Sequence, residues 1–402
     1  MSSTRNILLV GTFLYILLAP FFFHPDIKTI FYLSQFLKDG VFNIYQFIAQ
    51  NPDKAFLGPF VYPPLTYFLF GILFLPVSIF SGLGFVEWLS QGNDALGSTH
   101  IFQYIFVMKL PLILVHVATG YLLTKFFVEV KKKTTVLLVW MFNPISIYIV
   151  ALMGQFDGIP AFLTLWSLFT LRKKPFWAAI ALGFAAAIKS YPLFLLPFLA
   201  IAGAKERKKQ VALFVIGLVP YLAFVLPFTG SKEFYGDTIV SGLSQRIFQL
   251  AWPLGFGEYI LLVPAAILLL FFVSLSKDSG NVNSALRYFL AIPLVIVAGS
   301  HFHPQWTLWS LPFLAIALVR SKQWAAGVLL VLGWFGTVFL FNDIFLIWGL
   351  FGPIDSGVLF IPTSTDLVKK FSDPLLMQSI FHTVFTVSAF WITWNVFKEK
   401  SV

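Results

Sequence analysis

The sequence predicts an all-α, polytopic membrane protein with about 12 transmembrane helices and a large first loop outside the cytoplasm. Of its 402 residues, 58% are hydrophobic and 11% are charged, and the mean hydropathy is +0.86. A soluble domain is about half apolar and about a quarter charged. Several apolar runs approach the ~20 residues that a helix needs to cross a bilayer. Residues 1–402 are therefore expected to form a single transmembrane domain in the cell membrane.

The composition excludes several classes of protein. The chain has no cysteine, which excludes disulfides, thiolate metal sites and thiol catalysis. Its net charge of +10 is divided among short loops, so nucleic-acid binding is not expected. The sequence contains no phosphate-binding loop and no dinucleotide fingerprint, and no cofactor is expected. An enzyme that works outside the cytoplasm would need a donor carried in the membrane.

The first apolar run, residues 6–23, follows Arg5, which predicts a cytoplasmic N-terminus. The run lacks a small-residue cleavage site and is expected to be retained as a span. Residues 24–64 then form a polar island outside the cytoplasm. The island holds three aspartates, namely Asp26, Asp39 and Asp53.

The start of this island has helical spacing over residues 26–38. One face is apolar, and the polar residues that point away from it are Lys28, Ser34, Gln35 and Lys38. This pattern suits a helix that lies in the membrane interface rather than across the bilayer.

The apolar run at residues 61–80 is harder to place. No lysine or arginine occurs from Ala55 to Met108, which is unusual for a chain that reaches the cytoplasm. We therefore expect residues 61–80 to form a juxtamembrane or re-entrant hairpin, hinged at Tyr62-Pro63-Pro64. The whole segment 24–100 would then be one extracytoplasmic loop.

The remaining spans follow the positive-inside rule, with the basic clusters and both termini in the cytoplasm. A turn at Lys189-Ser190-Tyr191-Pro192 separates two half-spans between residues 174 and 205. The other predicted spans are 101–128, 135–152, 159–171, 210–228, 258–276, 288–300, 306–319, 324–347 and 378–397.

Polar residues collect at the predicted external face, where ionisable groups are costly and tend to be retained for function. Asp26 can take a proton from a hydroxyl nucleophile, although a plain N-cap after Pro25 is an alternative. Gln155 and Asp157 can recognise sugar hydroxyls or position a loop, and capping of the helix near Gly158 is the alternative.

Four cations or histidines are candidates for binding phosphate at this face. Lys189 suits a phosphate or pyrophosphate, or it extends to the lipid headgroups. His301 and His303 suit phosphate binding or proton transfer, or they form a polar turn before a proline. Their His-x-His spacing lacks a third ligand nearby in sequence, so we expect no metal. Arg246 is the fourth candidate, and simple solvation is its alternative.

Short motifs occur in order over most of residues 20–310. They are Asp26 after the first span, Asn43-Ile44-Tyr45, Phe60-Val61-Tyr62-Pro63-Pro64-Leu65, Asn143-Pro144, Gly154-Gln155-Phe156-Asp157, Ile188-Lys189-Ser190-Tyr191-Pro192 and His301-Phe302-His303. In this order they resemble the GT-C superfamily of membrane glycosyltransferases, and in particular its polyprenol-phosphate-mannose-dependent branch.

The resemblance implies a GT-C-like fold that moves a sugar, mannose above all, from a polyprenyl-phosphate donor. The acceptor would be a hydroxyl on a glycolipid, glycan or protein at the extracytoplasmic face. By match, Asp26 is the general base of a single, inverting displacement, with no required metal. The family often shows two acidic residues close together in this loop, whereas only Asp26 is near the first span here.

The resemblance also implies a role for each of the other candidate residues. Lys189, His301 and His303 would face the donor phosphate, with Arg246 as a further cation at the same group. The sugar or the acceptor would be contacted by Gln155, Asp157 and Tyr62.

A transporter or flippase of lipid-linked saccharides is the alternative function. Such a protein would also have many spans and basic groups. It should show internal repeats and broken helices in matching halves, and the sequence shows no repeat. It would also not need a large helical first loop.

Overall fold

The computed structural model describes residues 2–241 and 244–398, and within them the chain is almost wholly helical. The earlier helices are α1 Ser2–Leu18, α2 Pro25–Ser34, α3 Ile44–Gln50, α4 Pro64–Ser81, α5 Phe85–Leu89, α6 Ile101–Thr124, α7 Val130–Met141, α8 Pro144–Ser146, α9 Gly158–Thr170 and α10 Pro175–Ile188. The later helices are α11 Leu196–Gly203, α12 Arg207–Val225, α13 Lys232–Phe234, α14 Leu262–Lys277, α15 Ala285–Ala298, α16 Leu311–Ser321, α17 Trp324–Phe339, α18 Ser364–Val368 and α19 Pro374–Lys398.

In the described residues, π-helices, two strands and short 3₁₀-helices depart from regular α-helix. A π-helix, Ile147–Met153, continues α8, and a second π-helix, Tyr235–Ile239, continues α13. Strands β1, Ala251–Gly255, and β2, Glu258–Leu261, pair antiparallel as a short hairpin. Short 3₁₀-helices connect many of the remaining helices.

Several helices are long and apolar enough to cross a membrane. Among the described residues there are five such helices, and a sixth span results if one bent pair is counted as one. Seven further apolar helices have 10–17 residues. The prediction of an all-α protein with apolar helices long enough to cross a membrane is thereby confirmed, and the number of about 12 spans stays a prediction.

The bent pair consists of Val130–Met141 and Pro144–Met153, which meet at 42°. The break lies at Asn143-Pro144. A proline cannot continue the hydrogen bonding of a preceding helix, and Asn143 starts the next one because its Oδ1 accepts from the Ile145 N–H at 2.9 Å. The sequence thus ends one helix and begins another within three residues.

Residues 64–81 form the single helix α4 and not the hairpin predicted for residues 61–80. No turn interrupts the helix, although Pro76 lies inside it. Gly71 in this helix allows close packing and does not form a chain-reversing turn, since a Cβ at this position would lie 2.4 Å from Leu37 Cδ2. The chain therefore does not fold back within this range.

Helix α2 is present as predicted, but its polar side is not solvated. Lys28, Ser34 and Gln35 are all buried. The Lys28 ammonium donates to the Gln91 carbonyl and lies 5.2 Å from the centre of the Trp88 ring, so the segment around α5 covers this side. Burial lowers the pKa of Lys28 to about 8. The fourth polar residue, Lys38, is exposed and lies beyond α2, in the 3₁₀-helix Gln35–Asp39. The placement of this helix in the membrane interface stays a prediction.

The chain forms two compact units. The first comprises residues 2–60, 66–158 and 328–386, and helices α1, α6 and α7 pack together in it. Its largest fully buried side chains include Trp88, Trp140 and Trp334.

The second unit comprises residues 61–65, 159–241, 244–327 and 387–398. Its most closely packed pair of helices is α10 and α12. A Cβ on Gly183 would lie 2.1 Å from the Gly217 carbonyl oxygen, so only glycine permits this approach. The contact fixes α10, whose C-terminal end carries Lys189.

Candidate functional site

Asp26 lies in the first turn of α2, one residue after the proline that begins the helix. The N-cap is His24, whose Nδ1 accepts from the Asp26 backbone N–H at 3.3 Å. The interpretation of Asp26 as the N-cap was therefore wrong, since the histidine performs that role. The Asp26 carboxylate remains available for other contacts.

The Asp26 carboxylate meets the second predicted feature, Gln155. Asp26 Oδ2 accepts from Gln155 Nε2 at 2.7 Å, across 129 residues of sequence. The Asp26 side chain is 41% exposed, whereas Gln155 is only 2% exposed. The other oxygen, Oδ1, lies 3.6 Å from His24 Nδ1. A buried amide thus fixes the orientation of a carboxylate that stays partly exposed, as a proton acceptor requires.

Asp157 is close to Gln155 in sequence but differs in its surroundings. Its side chain is fully buried in the first unit. It therefore has no exposed surface with which to contact a sugar.

The first unit also contains a lysine that the sequence analysis did not single out. Lys109 lies inside α6 with no exposed surface. Its Nζ donates to the carbonyls of Ala19 and Phe22 at 3.1 and 2.6 Å, and to those of Ala151 and Leu152 at 2.8 and 2.7 Å. The signal in the sequence was a lysine within an apolar run, where a charge is costly unless it is bonded.

The second unit contains a cavity of about 350 Å³ that three other predicted residues line. These residues are Tyr62, Lys189 and His303. The cavity joins the break after α10 to the turn before α16, and residues from 238–241 and 244–248 complete its wall. Sequence separation hides this cluster, since its members span about 240 residues.

Aromatic rings form one side of this cavity. Tyr191 stacks on Trp309 with ring centres 4.3 Å apart and planes 5° apart, and Trp309 stacks on Trp306 at 4.9 Å. The Lys189 ammonium lies 5.4 Å from the centre of the Tyr62 ring and 5.7 Å from that of Trp309. The cavity therefore presents a cation beside flat apolar faces, which suits an anionic group attached to a sugar or a lipid.

The histidine turn adds polar groups at the same place. Burial lowers the pKa of His303 well below its ordinary value, and the charges of Arg246 and Lys189 lower it further. His303 is therefore neutral at pH 7. Its buried Nε2 has no hydrogen-bond partner among the residues that the structure describes.

His301 and Arg246 do not line the cavity themselves. Loss of hydration lowers the pKa of His301, and the charge of Arg246 lowers it further. Arg246 lies in the 3₁₀-helix Ser244–Phe248, whose neighbouring residues do line the cavity. Its Nη1 is buried and, within the described part of the chain, makes no hydrogen bond. The electrostatic field of Arg246 thus reaches both histidines.

The described residues also bear on metal binding. They contain no group of three or more histidine, cysteine, aspartate or glutamate side chains that could hold a metal ion.

Comparison with known protein families gives one match. The sequence model of Glycosyltransferase family 87 matches residues 60–299, which is more than half of the chain. The chain belongs to this family. No curated protein and no solved structure matches it.

Membership of family 87 identifies the protein as a membrane glycosyltransferase, and nothing favours the transporter alternative. The matched range includes Tyr62, Gln155, Lys189 and Arg246, together with the buried Asp157. Asp26 precedes the matched range, and His301 and His303 follow it. The roles of these three residues rest on their positions alone.

Proposed function

We propose that this family 87 enzyme transfers mannose from a polyprenyl-phosphate donor to a hydroxyl acceptor at the extracytoplasmic face, with inversion at the sugar carbon. The observation that carries the proposal is the Asp26 carboxylate, which is partly exposed and is fixed by the buried Gln155 amide. In a glycosyltransferase, a carboxylate so placed acts as general base on the acceptor hydroxyl.

The donor phosphate would lie in the cavity of the second unit. Polyprenyl phosphate leaves with additional negative charge, so its departure needs electrostatic stabilisation rather than protonation. The Lys189 ammonium supplies a positive charge in the cavity wall. The neutral His303 adds a hydrogen bond from Nε2, and Arg246 and His301 contribute from just outside the cavity.

The sugar and the first isoprene units would contact the aromatic side of the same cavity. Tyr62 and Trp309 flank the ammonium with their rings. Rings in this position can lie against the apolar face of a hexose, which favours a sugar directly bonded to the phosphate. Gln155 would act only through Asp26.

The proposed reaction is one displacement. The acceptor oxygen forms a bond to the sugar carbon as the bond from that carbon to the phosphate oxygen breaks, and Asp26 takes the acceptor proton. The products are the glycosylated acceptor and polyprenyl phosphate. The acceptor is a glycolipid, a glycan or a protein, and the proposal includes no cofactor and no metal.

The proposal also includes the membrane topology. We assign about twelve spans, with both termini in the cytoplasm and the site outside. The lysine and arginine clusters between the apolar helices support this orientation.

The test is an activity assay with the purified protein in lipid nanodiscs, polyprenyl-phosphate mannose and a mixture of acceptors. Asp26→Asn should lower the release of polyprenyl phosphate about 100-fold or more, the usual contribution of a general base. Asp39→Asn is the matched control, because Asp39 is exposed in the same loop, and it should keep the wild-type rate. Parallel assays with glucose and pentose donors should give a lower kcat/KM than mannose. Full activity in a folded Asp26→Asn variant would overturn the base assignment.

A further inference from the structure

We propose that Lys109 is a positioning residue for the Asp26–Gln155 pair. It holds together the two backbone segments that carry these side chains, and it does not contact substrate itself. The inference rests on the proposed function of Asp26, but its geometry is independent of that function.

The ammonium group of Lys109 is completely enclosed by backbone carbonyls. Four carbonyl oxygens lie within 3.1 Å of Nζ, and the side chain has no exposed surface. An ammonium has three N–H donors, so one donor is shared between two acceptors. A buried charge that bonds only to backbone dipoles satisfies those dipoles and keeps them in place.

The four carbonyls belong to the ends of two helical segments. Ala19 and Phe22 lie at the 3₁₀-helix that follows α1, Ala19–Phe21. Ala151 and Leu152 lie in the last turn of the π-helix Ile147–Met153. Carbonyls at the C-terminal end of a helix have no partner within that helix, and a cation there is stabilising. Lys109 therefore caps two helix ends with one charge.

Both helix ends lead directly to the candidate catalytic pair. Phe22 precedes Asp26 by four residues, and Leu152 precedes Gln155 by three. Holding both carbonyls on one nitrogen fixes the separation of the two backbones close to the point where the carboxylate meets the amide. The two side chains are thereby held within reach of each other, and they form the 2.7 Å hydrogen bond between Asp26 and Gln155.

Gly154 shows how closely these parts pack. A Cβ at this position would lie 2.8 Å from Lys109 Cε and 2.9 Å from Ile27 Cδ1, and its φ is +75°. The residue before Gln155 thus fits between Lys109 and the residue after Asp26. No larger side chain fits there without displacing one of these neighbours.

The experiment compares Lys109→Gln and Lys109→Arg with the wild type in nanodiscs. Lys109→Gln keeps two donors but no charge, whereas Lys109→Arg keeps the charge. Thr119→Val is the matched control, because the Thr119 hydroxyl is buried in the same helix and donates to the Val115 carbonyl of that helix.

The first measurement is hydrogen–deuterium exchange, which does not depend on activity. Lys109→Gln should increase exchange in residues 19–27 and in residues 147–157 together, and Thr119→Val should change neither segment. Unchanged exchange in both segments of folded Lys109→Gln would overturn the inference.

The second measurement separates positioning from general stability. Lys109→Gln should lower kcat by up to about 100-fold, the loss that a displacement of a catalytic group by about 1 Å can cause. The KM for the donor should stay near the wild-type value, since the donor cavity is built from other residues. Lys109→Arg should restore a large part of kcat. A rise in donor KM at constant kcat would contradict the inference, whereas full activity of Asp26→Asn would contradict only the proposed function.

Discussion

At the scale of single residues, the candidate site depends on how each polar group is held. The Asp26 carboxylate is fixed by a buried amide, and the Lys189 ammonium lies between aromatic rings. His303 is kept neutral by burial and by the nearby charges of Arg246 and Lys189. The protein thus places one fixed cation beside one neutral imidazole, which can donate a hydrogen bond without adding a second full charge.

The neutral state of His303 predicts a pH dependence of stability. A histidine in the unfolded chain titrates at about 6.5, whereas the pKa of folded His303 is well below that value. Between these two values the unfolded chain binds a proton that the folded protein does not, so stability falls as the pH falls below about 6.5. Thermal unfolding at pH 7.5 and pH 5 should show a smaller decrease in Tm for His303→Gln than for the wild type. Equal decreases in the two proteins would contradict this prediction.

At the scale of secondary-structure elements, glycines set the close approaches that position the site. Helices α10 and α12 meet at Gly183 and Gly217, and α10 ends at the residue before Lys189. A change in the distance between these helices is therefore transmitted directly to the cation in the cavity wall.

Gly183→Ala tests this transmission. The added methyl would lie 2.1 Å from the Gly217 carbonyl, and such overpacking costs about 1–3 kcal/mol. We expect a lower Tm together with a higher KM for the donor. Gly236→Ala is the matched control in the same unit, because nothing lies within 4 Å of a Cβ at Gly236. Donor KM values that are equal in the wild type and Gly183→Ala would exclude a role of this contact in positioning Lys189.

The helices and their contacts also show which features could be predicted from the sequence and which could not. Composition and apolar runs were sufficient for the helical membrane class, because they depend on local chemistry. They were insufficient for α2, whose polar side is covered by a segment about sixty residues away. They also missed Lys109, whose proposed positioning role depends on hydrogen bonds to four carbonyls from two distant segments. The cavity residues Tyr62, Lys189 and His303 were each named in advance, but only the fold brings them together.

At the scale of the whole molecule, the main prediction concerns topology. Helix α4 is continuous and is long and apolar enough to cross the membrane, whereas the absence of lysine and arginine from Ala55 to Met108 predicts an extracytoplasmic segment. The side on which the loop after α4 lies decides between these two signals.

Labelling of introduced cysteines can test this topology, because the chain has no cysteine of its own and every reactive thiol is an introduced one. Ser98→Cys, at a partly exposed position, and Gln46→Cys, at an exposed one, should react with a membrane-impermeant maleimide added to intact cells. Lys208→Cys, in a basic cluster, should react only after the cells are permeabilised. Protection of Ser98→Cys together with labelling of Gln46→Cys would show that α4 crosses the bilayer.

The carbonyl cluster around Lys109 can also be described as coordination chemistry. Four backbone oxygens arranged around one point form a cage for a small monovalent cation, and the lysine side chain tethers such a cation covalently. The first unit therefore needs no dissolved ion to satisfy these oxygens. A chain with alanine at this position would have to recruit an ammonium-sized ion from solution to restore the same cage.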